Sequence, residues 1–133
     1  MIALTCLATA IFFEARDQPI LGQFAVAEVV LVRADHERFP DTICDVVFDD
    51  KAFSFTHDGL TDDMYTFTAP KDRHAVIIAL IIAREVIRTQ HYVEIGNTHY
   101  HTKAVNPLWG SHEDFTQTNV IGDHIFYSCI NYC

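Results

Sequence analysis

Apolar residues recur at helical spacing through the first two thirds of the chain and predict three long helices. Between Leu4 and Ala15 they return every three or four positions, which predicts a first helix that Pro19 ends. A second helix, over about Leu21–Ala34, is apolar on almost every side, so we expect it near the centre of the fold. A third helix begins at Pro70, a residue suited to the first turn.

The pattern changes between and after these helices. A short helix is predicted over Ile43–Phe48, and residues 49–69 are predicted to form a loop with an extended piece at Ala52–Phe55. Thr98–Thr102 and Val120–Tyr127 are rich in β-branched and aromatic residues. We therefore expect these two segments to pair as a small antiparallel sheet.

The predicted fold class is α+β and mainly helical, with a small antiparallel β element in the C-terminal third of one domain over residues 1–133. Half of the residues are hydrophobic, which suits one packed core. The net charge of −9 argues against nucleic-acid binding, which needs clustered basic residues. No apolar run is long enough to cross a membrane. We expect no membrane insertion, and a monomer that holds its partner in a cleft.

The apolar start of the chain allows a second interpretation, as a signal peptide with Ala8-Thr9-Ala10 as its small-residue site. No Lys or Arg precedes this stretch, so the charged region of a signal peptide is missing. We therefore expect a core helix, and a chain without an export signal of its own.

Four cysteines occur, at Cys6, Cys44, Cys129 and Cys133, and none forms a CxxC pair that would favour a zinc ribbon. Their spacing is compatible with thiols or with disulfides. Because Cys6 and Cys44 lie in apolar segments, we expect them to be buried thiols.

Glu14 is the first charged residue of the chain and ends the apolar first helix. Phe12 and Phe13 beside it would withdraw its carboxyl group from water and raise its pKa. The negative end of the helix acts in the same direction. Both effects favour the protonated form that a general acid needs near neutral pH. The structural alternative is a salt bridge from Glu14 to Arg16 or Arg33.

Histidines supply a competing hypothesis. His99 and His101 point to one face of a predicted strand, and with His124 they could surround a catalytic zinc ion. His-x-His is a weak motif, so contact with a substrate, without a metal, is the favoured interpretation. Trp109, the only Trp, lies in a loop between the predicted strands and offers a flat face of the kind that stacks on sugar rings.

Several motifs follow one another in a fixed order: CLATAIFFEAR at 6–16, GQFAVAEVVLVR at 22–33, FPDTICDVV at 39–47, FSF at 53–55 with DG at 58–59, THYH at 98–101, VNPLW at 105–109 and IGDHIFY at 121–127. This series resembles the SleB/CwlJ-type cell-wall hydrolases, the spore-cortex-lytic enzymes and their relatives in other bacteria and phages. The resemblance covers roughly residues 4–127, nearly the whole chain.

The resemblance implies a lysozyme-like fold and an attack on peptidoglycan glycan strands without a cofactor. The family's catalytic Glu lies in a Glu-Ala-Arg motif, which maps onto Glu14. Relatives with an assigned activity are mostly lytic transglycosylases, in which one Glu acts as acid and then as base. A hydrolase would need a second carboxylate, for which Asp58 is the first candidate. The chain departs from the family pattern at Asp17-Gln18, where Gly-Glu is usual, and at Val32, where Asn is usual.

The leading hypothesis is a peptidoglycan lytic transglycosylase with Glu14 as acid and base. It would serve as a phage endolysin that waits in the host cytoplasm until a separate pore opens. The residues expected to line its cleft are Ser54, Tyr100, His101, Asn106, Trp109 and His124. Two other hypotheses stay open: a zinc-dependent amidase or peptidase built on the three histidines, and a noncatalytic wall-binding module.

Overall fold

The chain forms a helical lobe followed by a small sheet lobe in a computed structural model that describes residues 2–49, 52–90 and 96–129. The α-helices of the helical lobe are α1 Ala3–Ala15, α2 Ile20–Ala34, α3 Ile43–Val47 and α4 Pro70–Thr89. The strands of the sheet lobe are β1 His99–Thr102, β2 Phe115–Ile121 and β3 His124–Cys129. Short 3-10 helices lie at Ser54–Thr56, Met64–Thr66 and Leu108–Ser111. The order confirms the predicted mainly helical α+β class.

Helix α1 is the core of the helical lobe, as its uncharged sequence predicts. Leu7, Ile11 and Phe12 are fully buried, and the helix packs against α2, α3 and α4. Burial of each such side chain contributes about 1.5–3 kcal/mol, so this row is a main source of the lobe's stability. Helix α2 begins at Ile20, directly after Pro19, and buries its own apolar face in the same lobe. None of the described helices has the length and apolarity that a membrane crossing needs.

A disulfide joins Cys6 of α1 to Cys44 of α3. The prediction of two buried thiols is therefore wrong, because apolar surroundings do not decide whether two sulfur atoms lie within bonding distance. Thr42 caps α3 by accepting a hydrogen bond of 3.1 Å from the backbone N–H of Asp45. The cap stabilises the first turn of α3, and the disulfide fixes this helix against α1. Cys129 is also disulfide-bonded.

The sheet is antiparallel with strand order β1-β3-β2. The predicted pairing is confirmed, with Tyr100 of β1 opposite Phe126 of β3. The prediction of one strand over Val120–Tyr127 is wrong, because the chain turns at Gly122 with φ 57° and divides the segment between β2 and β3. Glycine adopts this left-handed conformation at little cost, so the turn is placed where the sequence supplies one.

Side chains alternate along the strands and give the sheet two different faces. The inner face carries Tyr100, His124 and Phe126, and Phe126 is fully buried in a cluster with residues of α2. The outer face carries His99 and, opposite it on β3, Tyr127. Residues next to each other in β1 therefore face different surroundings.

The prediction of an extended piece at Ala52–Phe55, in the loop between α3 and α4, is wrong. Ser54–Thr56 forms a 3-10 turn, and the hydroxyl of Thr56 donates a hydrogen bond of 2.8 Å to the backbone carbonyl of Phe53. Both Phe53 and Phe55 are buried in this turn. An alternating strand would bury the same two residues, so the apolar pattern alone does not separate the two conformations.

Two contacts between the lobes involve the ends of α1 and α2. The Nε2 of Gln18 donates to Asp123 Oδ2 at 3.1 Å, and the backbone N–H of Asp123 donates to Gln18 Oε1 at 2.9 Å. Farther along, the backbone of Gly96 lies against the side chain of Val32, which leaves no room for a Cβ atom at Gly96. The sheet lobe is thus held at both ends of α2.

Candidate active site

Glu14 lies in the last turn of α1, where this helix meets the sheet lobe. Its Oε1 accepts a hydrogen bond of 2.8 Å from the hydroxyl of Tyr100 in β1. The two residues are 86 positions apart in the sequence, so only the fold brings them together. This hydrogen bond occupies Oε1 of Glu14. The other carboxyl oxygen, Oε2, is the one that could carry a transferable proton.

Burial raises the pKa of Glu14 above its ordinary value, and this effect outweighs the opposing ones. The hydrogen bond from Tyr100 and the positive charge of Arg33 both lower it. Both act on the ionised form, which they stabilise. The direction is the one expected from the sequence: Glu14 keeps its proton to a higher pH than an exposed Glu would.

Neither nearby arginine closes a salt bridge with Glu14 among the ion pairs that the described residues form. The Nε of Arg16 lies 3.5 Å from Asp72 Oδ1 in α4, and its guanidinium covers the ring of Phe12 at 4.5 Å. The positive charge of Arg33 lowers the pKa of Glu14, but the hydrogen bond of its Nε goes to the backbone carbonyl of Thr98. The salt-bridge alternative for Glu14 is therefore wrong.

Arg33 is a buried cation at the end of α2, and sequence reasoning gave it no role beyond that salt bridge. Its Nε donates a hydrogen bond of 2.7 Å to the backbone carbonyl of Thr98, and only 8% of the residue is exposed. Its guanidinium lies 4.9 Å from the ring centre of Phe39 and 5.9 Å from that of Phe53. Burial lowers the pKa of Arg33, while the charges of neighbouring groups raise it. A single Arg in a helix that is apolar on almost every side is the sequence signal that could have drawn attention to it.

Tyr100 and His124 lie together on the inner face of the sheet. Their ring centres are 5.0 Å apart, and His124 is only 3% exposed. Burial raises the pKa of Tyr100 well above its ordinary value, so its hydroxyl stays a neutral donor to Glu14. Burial also lowers the pKa of His124, and its Nδ1 has no hydrogen-bond partner in the described part of the chain. The structure thus places Tyr100 at the acid and His124 behind Tyr100.

His101 and Trp109 belong to a cluster on the outer face. The Nε2 of His101 is 2.8 Å from the hydroxyl of Tyr127, and the indole of Trp109 packs within 5.7 Å of the rings of His101, Tyr127 and His99. His99 also contacts Phe115. Burial, aided by the charges of Arg33 and His36, lowers the pKa of His99 to about 4.

The strand register separates the three histidines of the zinc hypothesis. His99 and His101 are on the outer face, whereas His124 is on the inner face opposite Thr102. Over residues 2–49, 52–90 and 96–129, no group of three or more His, Cys, Asp or Glu side chains is arranged to hold a metal ion. The predicted convergence of these three rings is therefore wrong.

Residues 17–127 match the cell wall hydrolase family, a stretch that begins just after Glu14. The chain belongs to this family. It is 32% identical over 120 residues to the spore cortex-lytic enzyme of Oceanobacillus iheyensis, which covers 90% of this chain and 39% of that enzyme. It is 36% identical over 74 residues to the spore cortex-lytic enzyme of Bacillus subtilis, which covers 56% of this chain and 23% of that enzyme. The chain therefore spans well under half of the length of these relatives.

Solved catalytic domains of SleB proteins share the fold of this chain. The domain from Bacillus cereus is 28% identical with a TM-score of 0.65, over 95% of this chain and 89% of that one. The domain from Bacillus anthracis, described as a germination-specific lytic transglycosylase, is 27% identical with a TM-score of 0.64, over 95% of this chain and 93% of that one. These likenesses confirm the family resemblance and the fold class.

Two residues that depart from the expected family pattern, Gln18 and Val32, make the two interlobe contacts described above. Gln18 exchanges two hydrogen bonds with Asp123, where a Glu would place two carboxylates together. Val32 packs on the backbone at Gly96, a contact in which an Asn would bury an amide. Both substitutions therefore act on how the lobes meet and leave the acid in place.

The two remaining predicted cleft residues, Ser54 and Asn106, lie on the surface. Ser54 is exposed at the start of its 3-10 turn, between buried Phe53 and Phe55, and the ring of Phe55 stacks on that of Phe13 at 4.9 Å. Asn106 is exposed in the loop after β1. Their contact with a substrate stays a prediction. Asp58, the first candidate for a second acid, is exposed and accepts a hydrogen bond of 2.9 Å from the backbone N–H of Leu60.

Proposed function

We propose that this chain is a single lytic transglycosylase domain that cleaves the bond between N-acetylmuramic acid and N-acetylglucosamine in peptidoglycan. The observation that carries the proposal is the state of Glu14. Its carboxyl group is held by Tyr100 at 2.8 Å, and burial raises its pKa. A protonated, oriented carboxylic acid is what the first step of glycosidic bond cleavage needs.

One carboxyl group is enough for both steps of this reaction. Glu14 first donates its proton to the glycosidic oxygen, and the bond from that oxygen to C1 of the muramyl sugar breaks. The Glu14 carboxylate then takes the proton of the muramyl 6-hydroxyl, whose oxygen bonds to C1 and closes a 1,6-anhydro ring. The proton gained in the second step restores the acid, so no water is consumed and no cofactor takes part.

The relatives support this proposal, since one SleB domain of the same fold is described as a lytic transglycosylase. For the biological setting we propose a monomeric phage endolysin that acts on the cell wall after release from the host cytoplasm. The Cys6–Cys44 disulfide adds a condition to this setting. Thiols are kept reduced in the cytoplasm, so the bond would form after release.

The test is digestion of purified sacculi by the wild type and by Glu14→Gln, with mass spectrometry of the soluble products. The wild type should release 1,6-anhydro-muropeptides. Glu14→Gln should release them about 10²–10⁴-fold more slowly. Glu28→Gln is the matched control, because Glu28 is also half-buried in an apolar helix but lies beside α4. It should keep the activity.

Three outcomes of this digestion would contradict the proposal. Full activity of Glu14→Gln would remove Glu14 from the reaction. Reducing ends without anhydro products would mean hydrolysis with a second carboxylate. A folded wild-type protein that pellets with sacculi but releases no soluble product would indicate a wall-binding module.

A further inference from the structure

We propose that Arg33 is a positioning residue that stabilises the negative charge on Glu14 between the two proton transfers. This inference rests on the proposed function, because that reaction requires Glu14 to be neutral at the start and ionised in the middle.

The guanidinium of Arg33 is fixed in place. Its Nε–H is bonded to the backbone carbonyl of Thr98 at 2.7 Å, which ties the end of α2 to the residue before β1. The rings of Phe39 and Phe53 lie 4.9 and 5.9 Å from its central carbon. A charge held by a hydrogen bond and two aromatic rings does not need to reorganise when the charge of a neighbour changes.

The charge of Arg33 is also available to Glu14. Among the described residues, Arg33 takes part in none of the ion pairs, which are Arg16–Asp72, Arg88–Glu85 and His112–Asp114. The titratable groups that its charge reaches are Glu14 on α1, Asp49 after α3, and Tyr100 and His99 on β1.

Two of these four groups are neutral over the working pH range. Burial raises the pKa of Tyr100 well above its ordinary value, and the pKa of His99 is lowered to about 4. Asp49 is exposed, so water screens part, but not all, of its effect on Arg33. Glu14 is therefore the buried carboxyl group that the charge of Arg33 reaches, and Asp49 is the exposed one. The bond to Thr98 holds Arg33 two residues from Tyr100, the hydrogen-bond donor to Glu14.

The need for such a charge follows from the burial of the acid. Burial makes the neutral form of Glu14 favourable, and the same burial makes the carboxylate left after proton transfer costly. Tyr100 offsets part of this cost with one hydrogen bond, and a fixed cation offsets more. Without Arg33, Glu14 would be a weaker acid that gives up its proton less readily.

The test compares Arg33→Gln with Arg33→Lys, using the pH dependence of anhydro-muropeptide release. The reaction needs protonated Glu14, so the rate falls as the pH rises through the pKa of Glu14. Removal of the positive charge makes the carboxylate less stable and moves this alkaline limb to higher pH, with a rate loss of about tenfold or more. Arg33→Lys keeps the charge and should leave the limb near its wild-type position. An unshifted limb in folded Arg33→Gln would overturn the inference.

A second variant keeps the test decisive if Arg33→Gln does not fold. Asp49 is an exposed anion that partly offsets the charge of Arg33. Asp49→Asn should therefore move the alkaline limb in the opposite direction, to lower pH, by a smaller amount. No shift in Asp49→Asn would count against the inference. Failure of the proposed function is distinguishable from failure of this inference, because in the first case the wild type itself releases no anhydro products.

Discussion

The two lobes are built on different principles. The helical lobe surrounds α1 with three other helices, buries Leu7, Ile11 and Phe12 completely, and ties α1 to α3 with a disulfide. The sheet lobe has three short strands, and five consecutive residues of its edge strand β2 are exposed. Phe126 is its fully buried anchor on the helices. The first lobe resists movement of the acid, and the second is held by few contacts.

The reaction proposed above draws its residues from both lobes. The helical lobe supplies Glu14 and Arg33, and the sheet lobe supplies Tyr100 and the carbonyl of Thr98 that holds Arg33. Each group from one lobe is therefore oriented by a hydrogen bond from the other. Disorder in the sheet lobe should reduce activity before it reduces the stability of the helical lobe.

Removal of the disulfide should weaken the helical lobe most. The double variant Cys6→Ala, Cys44→Ala removes a link between residues 38 positions apart, which should lower the free energy of unfolding by about 4 kcal/mol. Urea unfolding checks this value. Wild type treated with a reductant, which also breaks the disulfide of Cys129, should lose at least as much. An unchanged midpoint in both samples would mean that the Cys6–Cys44 bond does not restrain the lobe.

Removal of the anchor should weaken the sheet lobe. Phe126→Ala leaves a cavity between β3 and α2 and should cost about 3 kcal/mol. Phe115→Ala, a half-buried residue on the outer face, is the control and should cost clearly less. Chemical denaturation of both variants measures the difference. Equal losses would show that the inner face is no more important than the outer one.

Loss of the hydrogen bond between the lobes at the acid should change activity more than stability. Tyr100→Phe removes a donor that lowers the pKa of Glu14, so this pKa should rise and the alkaline limb of the rate should move to higher pH. The rate should fall about tenfold, as expected for the loss of one oriented hydrogen bond. Product release at several pH values measures both effects, and a limb at lower pH would contradict the assignment of the donor.

The smallest effect is expected at the contact between Gln18 and Asp123. Gln18→Glu replaces the amide donor with a second carboxylate and should cost about 1 kcal/mol near neutral pH. Thermal unfolding checks this loss. Adding Asp123→Asn to the variant should restore most of the stability, because the Glu then faces an amide. A double variant that is no more stable than Gln18→Glu would show that charge is not the reason.

The sequence predicts the helical lobe better than the sheet lobe for a physical reason. Helical periodicity is a local signal, and it located α1, α2 and α4 and placed Glu14 at the end of an apolar helix. The disulfide, the turn at Gly122 and the opposite faces of His101 and His124 depend on contacts between distant segments. Arg33 was missed as part of the site because its neighbours Thr98 and Phe39 come from other parts of the chain.

Trp109 is the only Trp of the chain, and it packs entirely within the sheet lobe, against His99, Phe115 and Tyr127. Tryptophan emission from this protein therefore comes from one lobe alone. Far-ultraviolet circular dichroism is dominated by the helices of the other lobe. The chain thus carries a built-in optical probe, with which unfolding of the two lobes can be followed separately without any label.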